Sequence, residues 1–180
     1  ATKTRTDDDV FVFSIGDGLT VLVSHNSADP SRAGDGRSWQ PSISDDGQYI
    51  GYLSQASDLL EGGVDANGGL ADAMVYDIVA DASGLANRTA DDALRSADGA
   101  ADSVVVAGLG QFAYFTSLGS NLTDPIPDSL GTRDSFNFDI TSGIVDPSNR
   151  SDALAPATTS TGGASNQFSA YAASDDERDR

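Results

Sequence analysis

Ser38–Leu60, SWQPSISDDGQYIGYLSQASDLL, aligns without a gap to ADSVVVAGLGQFAYFTSLGSNLT, which starts at Ala101, and each is followed by an acidic loop and a short aromatic strand. A second marker keeps the same rhythm. DVFVF from Asp9, DAMVY from Asp72 and DSFNF from Asp134 recur 63 and 62 residues apart. Self-similarity at a fixed period is the mark of a propeller, a solenoid or an array, in which each repeat buries its apolar face against the next.

Within each repeat the residue pattern predicts four short antiparallel strands. In the first full copy these are Pro41–Ser44, Gln48–Ser54, Ala73–Ile78 and one near Gly84–Asn87; in the second, Ser103–Ala107, Gln111–Ser117, Ser135–Ile140 and Ile144–Val145. Gln48–Ser54 places Tyr49, Gly51 and Leu53 on one face and Ile50 and Tyr52 on the other, as expected for a strand between two packed layers. Upstream, Val10–Phe13 and Leu19–Val23 flank Gly16-Asp17-Gly18 and read as a hairpin. His25 to Arg37, rich in Ser, Asn, Asp, Gly and Pro, reads as an exposed connection, and Ala90–Ser96 as one or two helical turns after the cap Thr89. Ala153–Ser165 is a low-complexity linker, Gln167–Ser174 begins a third copy, and Asp175–Arg180 is a charged tail. The expected core is Ile43, Ile50, Tyr52, Val75, Val105, Phe112, Tyr114, Phe136 and Phe138. The fold class is all-β, with about three propeller-type blades of four strands: 1–37 a partial blade and connection, 38–90 and 91–150 full repeats, and 151–180 a linker, a partial copy and the tail. Closed propellers need about four or more blades, so the array is expected to be incomplete or closed by other chains.

Composition narrows the function. The 180 residues include 28 acidic and 10 basic side chains, a formal charge of −18. That field repels phosphate backbones and anionic membrane surfaces, which argues against nucleic acid as a partner. Of the acids, 26 are Asp and only 2 are Glu; Asp favours turns, offers oxygen ligands to a hard cation, and with a single lysine, Lys3, also suits a salty habitat. Cysteine is absent, which excludes disulfides and thiolate chemistry. No apolar run approaches a membrane span, so direct membrane insertion is not expected.

The first full copy resembles the TolB-like, or WD40-like, β-propeller repeats of bacterial secreted and cell-envelope proteins. Pro41, Ile43, Ser44, Asp46, Gly47, Tyr49, Ile50, Tyr52 and Ser54 carry that likeness, followed by Leu59, Asp65, Asn67, Gly68, Asp72, Val75, Tyr76 and Asp77. The second copy departs from it by placing Ala107-Gly108-Leu109-Gly110 where the first has Ser-Asp-Asp-Gly. The resemblance implies an extracytoplasmic protein, periplasmic, cell-surface or secreted. The repeat, the lack of a catalytic constellation and the acidic, lysine-poor surface point to a non-catalytic binding or scaffolding module, not an enzyme, for a protein complex, the exposed face of a membrane complex or a polysaccharide, self-association included; the alternative is the propeller portion of a larger hydrolase.

Few residues suggest chemistry. Asp65 and Asn67, with Gly68 and Asp72, resemble the start of a calcium loop, with side-chain oxygens at alternate positions before a glycine, but an Asx-turn connection that fixes the entry to the next strand is the favoured reading. Calcium is the one cofactor the pattern admits. His25 is the single histidine, and its neighbour Ser24 would point to the opposite face of a strand, so a serine nucleophile with a histidine base is not expected there. Trp39, beside Arg37 and Gln40, is a partner-binding or sugar-stacking candidate, or else the cover of a blade edge. Asn87-Arg88-Thr89, Asn121-Leu122-Thr123 and Asn149-Arg150-Ser151 match the glycosylation pattern.

Overall fold

The structure is a computed structural model that describes residues 7–123 and 132–148. Among the described residues it is all-β, with no helix. Two hairpins come first: β1 (Phe11–Phe13) with β2 (Thr20–Leu22), and β3 (His25–Asn26) with β4 (Asp29–Ala33). A four-stranded antiparallel meander follows, made of β5 (Ser38–Ile43), β6 (Tyr49–Ser54), β7 (Asp72–Asp77) and β8 (Ala82–Leu85). A second has the same order, β9 (Ala101–Ala107), β10 (Phe112–Ser117), β11 (Asp134–Asp139) and β12 (Val145–Pro147). No closed barrel forms among the described residues.

The two-faced pattern of the central strands is what stacks these layers. Leu53 of β6 and Ala73 and Val75 of β7 enter one core with Val104, Val106, Phe115, Phe136 and Phe138 of the following sheet. The alternate residues Ile50, Tyr52, Met74 and Tyr76 enter a second core with Val10 and Val23 of the first hairpin. The β5–β8 sheet is therefore covered on both sides. Gly51, at its centre, lets β9 settle close: a Cβ there would lie 3.0 Å from Val106 Cγ2 and 3.3 Å from Val104 Cγ2. Ser42 Oγ accepts a hydrogen bond from the Val106 amide across the same seam, at 3.1 Å.

Hydrogen bonds repeat at the sequence period. Ser38 N donates to Asp8 O at 2.8 Å, and 63 residues on, Ala101 N donates to Ala71 O at 2.7 Å. Gln55 N to Arg37 O and Leu118 N to Ala100 O form a second such pair, at 2.8 and 2.9 Å. Side chains follow suit. Asp35 accepts from the amide and hydroxyl of Ser57, and Asp98 accepts from those of Ser120, all at 2.6–2.7 Å. Gly36 and Gly99 stand beside these brackets, where a Cβ would collide with the backbone of Gln55 and of Leu118.

Several expectations need correction. His25 to Arg37 is not a bare connection: it contains the β3–β4 hairpin, and His25 is buried. Its sequence hides this because Asn26 rather than an apolar pattern fixes the turn, accepting from the amides of Ala28 and Asp29 and donating to Asp58. Ala90–Ser96 forms turns and bridges instead of helix, since Leu94 O and Ser96 N both bond Val64 of the neighbouring loop. In the core, Ile50, Tyr52, Val75, Phe136 and Phe138 are buried as expected, whereas Ile43 is 53% and Val105 40% exposed, and Phe112 and Tyr114 are half-buried. Ile43 is exposed because the layer before its sheet is a two-stranded hairpin, which does not reach beneath it. Its counterpart Val106 is buried because strands β5 and β6 lie beneath it. The partial copy at Gln167–Ser174 lies outside the described residues.

Candidate functional site

Asp65, Asn67 and Asp72 do come together. Asp65 closes its loop on itself: Oδ1 accepts from the amides of Asn67 (3.1 Å) and Gly68 (2.9 Å), and Oδ2 from that of Gly69 (2.8 Å). Gly68 and Gly69 both have φ in the left-handed region, 74° and 84°, which the tight turn around the carboxylate requires. Asn67 turns its amide NH2 to Asp72, donating to Oδ1 at 2.8 Å, while its own carbonyl oxygen is buried without a hydrogen-bond partner. Asp72 is buried at the start of β7, and Asn87 donates to the same Oδ1 at 2.9 Å. Asn87 also accepts the Ala73 amide, so one fully buried side chain ties the strand to its carboxylate.

Burial pushes the Asp72 carboxyl up to about 6, against the two amide hydrogen bonds, which favour the charged form; the nearby Asp65 charge pushes in the same direction as burial. The loop thus joins one exposed carboxylate engaged by backbone amides to one buried carboxylate held by two side-chain amides. A cation would find the Asn67 carbonyl oxygen as its open acceptor. Among the described residues, no group of three or more His, Cys, Asp or Glu side chains is gathered for a metal. The loop's geometry is that of the Asx-turn reading.

Arg37 and Trp39 are also brought together, and they occupy each other. The guanidinium carbon lies 4.8 Å from the Trp39 ring centroid, a cation–π contact, and Arg37 Nε donates to Asp8 Oδ2 at 2.8 Å. Trp39, half-buried on β5, packs against the core between the two four-stranded sheets. One face of the ring is thereby covered.

A cluster that the sequence reading missed lies between β3 and the β7–β8 turn. His25 sends Nδ1 to the Asn26 carbonyl at 3.0 Å and Nε2 to within 3.3 Å of Asp81 Oδ1, and meets Tyr76 edge-on at 5.9 Å. The Tyr76 hydroxyl donates to Asp81, and Tyr52 shares a 2.7 Å hydrogen bond with Ser83. Burial pushes both phenols upward; the Asp81 carboxylate pushes Tyr76 further, and the Ser83 bond opposes the shift at Tyr52. Ser24 is not part of this group, since its hydroxyl faces away and accepts the Val10 amide at 3.0 Å. No local motif signals the cluster, because Asp81 comes from a turn 56 residues downstream of His25.

Of the glycosylation patterns, Asn87 is overturned as an acceptor, since it is buried and both ends of its amide are engaged. Its partnership with Asp72 was open to detection: Ser24, Asn87 and Asn149 recur at spacings of 63 and 62, and Ser24 bonds Val10 just as Asn87 bonds Ala73. Asn121 accepts the Asp98 amide at 3.0 Å, and Asn149 lies outside the described residues. No protein-family model matches this chain, and no curated protein matches it.

Proposed function

We propose that this chain is a non-catalytic binding or scaffolding module built from propeller-type repeats of the TolB-like kind, acting outside the cytoplasm on a protein partner. The observation that carries the reading is how its carboxylates are used. Asp35, Asp46, Asp65, Asp77, Asp98 and Asp139 each accept backbone amides in turns, and most recur at equivalent places in the two four-stranded sheets. Hydrogen bonding holds the Asp46 and Asp139 carboxyls below the ordinary aspartate value. Side chains committed to holding turns support a rigid platform rather than acid–base chemistry. A protein partner is favoured over polysaccharide because Arg37 covers a face of Trp39, the one indole available for stacking on a sugar.

One observation favours a second reading, the propeller portion of a larger hydrolase: the layer packed beneath the β5–β8 sheet is a two-stranded hairpin, whereas the layer beneath β9–β12 has four strands. Turnover and binding measured side by side test both. The purified chain should not hydrolyse aryl ester, aryl glycoside or peptide substrates, and a tagged chain should recover one protein in fixed stoichiometry from envelope extracts. Hydrolysis that Asp81→Asn abolishes would overturn the binding reading.

A further inference from the structure

Equivalent residues of successive sheets have unequal fates. Met74 and Tyr76 of β7 face the preceding hairpin and are buried; Phe136 and Phe138 of β11 face the preceding sheet and are buried. Counted from Asp72, Asp134 and Asp9, the matching residues of β1 are Phe11 and Phe13, and these are 55% and 60% exposed. Leu22 pairs with Phe11 across the hairpin and extends the same face. So the hairpin presents outward the side chains that a preceding sheet covers elsewhere in the chain.

Among the described residues, the far face of the β9–β12 sheet offers what would cover them. Tyr49 and Gly51 lie on the face of the β5–β8 sheet that receives the next sheet, and their neighbour on β5 is Ser42. The residues 63 positions on from Tyr49 and Ser42 are Phe112, half-buried, and Val105, exposed. We propose that the Phe11/Phe13 face of one copy seats on the Val105/Phe112 face of a second copy, head to tail, repeating between molecules the contact that already joins consecutive sheets within one. Such a contact is heterologous: it closes into a ring if the rotation between copies allows, and otherwise extends as a filament. Each chain carries a charge of −18, so added salt should strengthen the association by screening.

This rests on the binding-module reading and names the partner surface. Sedimentation velocity of the full chain from about 1 to about 100 μM should show concentration-dependent assembly. Phe13→Asp and Val105→Asp should each be monomeric with unchanged circular dichroism. An equimolar mixture of the two should give a one-to-one dimer and nothing larger, since only one intact pair of faces remains. If Val105→Asp fails to fold, Val105→Thr keeps the β-branched shape and should weaken assembly at least several-fold. A parent chain monomeric throughout, variants that assemble like the parent, or a mixture that stays monomeric would each overturn the proposal. A monomeric chain that still captures a protein would remove this inference and leave the binding reading, whereas head-to-tail assembly in a chain that hydrolyses substrate would do the reverse.

Discussion

Replacing Asp72 with asparagine should stabilise the protein at neutral pH, although it deletes a buried, hydrogen-bonded carboxylate. The only Asp72 oxygen seen to bind the two amides is Oδ1, which accepts Asn67 Nδ2 at 2.8 Å and Asn87 Nδ2 at 2.9 Å, and an asparagine carbonyl can keep both bonds. The new NH2 can turn towards the unpartnered carbonyl oxygen of Asn67. What disappears is the buried charge. Raising the carboxyl from 3.8 to about 6 corresponds, at about 1.4 kcal/mol per pH unit, to a penalty of about 3 kcal/mol on the ionised form. The sign follows from proton binding: between the two values the folded state holds a proton that the unfolded chain has released, so this residue's contribution to stability falls as pH rises through the window and is fully lost above about 6. Urea unfolding followed by Trp39 fluorescence, on parent and Asp72→Asn at several pH values, isolates the residue, because the other carboxylates titrate in both proteins. The stability difference should be near zero at pH 3.5 and approach about 3 kcal/mol in favour of asparagine at pH 7.5. A difference that does not change with pH, or a variant less stable than the parent at pH 7.5, would refute the burial argument.

Asp65→Ala removes three backbone hydrogen bonds from its loop and should cost about 1–2 kcal/mol without calcium. Millimolar calcium should raise the melting temperature of parent and variant equally if it only screens charge, and a response confined to the parent would place a cation at Asn67 and Asp72 instead. Gly36→Ala and Gly99→Ala, which force a Cβ into backbone, should each cost about 1–3 kcal/mol in chemical denaturation; a neutral result would show that the Asp–Ser brackets yield easily. Phe115→Ala opens a void beside Phe136, on which it stacks at 5.3 Å, and should cost about 3–5 kcal/mol by the same measurement.

The strands read most directly from sequence are β6 and β7, whose burial is two-sided. β6 and β7 alternate apolar residues into two cores, and the 63-residue alignment carries the same assignment to β10 and β11. The β3–β4 hairpin was illegible because a side-chain amide from Asn26 and the carboxylate of Asp58 build it, not a period of apolar residues. Ile43 and Val106 share a repeat position and a residue class, yet differ in burial because a different number of strands lies beneath each. That is a property of the neighbour and leaves no trace in the strand itself. At the acidic loop, Asp65, Asn67 and Asp72 were found by spacing, but which oxygen faces what depended on Asn87, fifteen residues past Asp72.

Among the described residues, the backbone bonds from Ser38 to Asp8 and from Ala101 to Ala71 each lock a four-stranded sheet to the layer on which it packs. In a molecule joined in this way, energetic coupling decays with distance along the stack, as in a one-dimensional array. Opening should begin at the outer layers and travel inward, so amide hydrogen exchange should be slowest in β6 and β7, whose sheet is clamped on both faces, and fastest in β1 and β2. Length then becomes an adjustable quantity: a whole 63-residue unit can be gained or lost with a nearly constant change in stability, while a gain or loss of fewer residues breaks the lock it falls within.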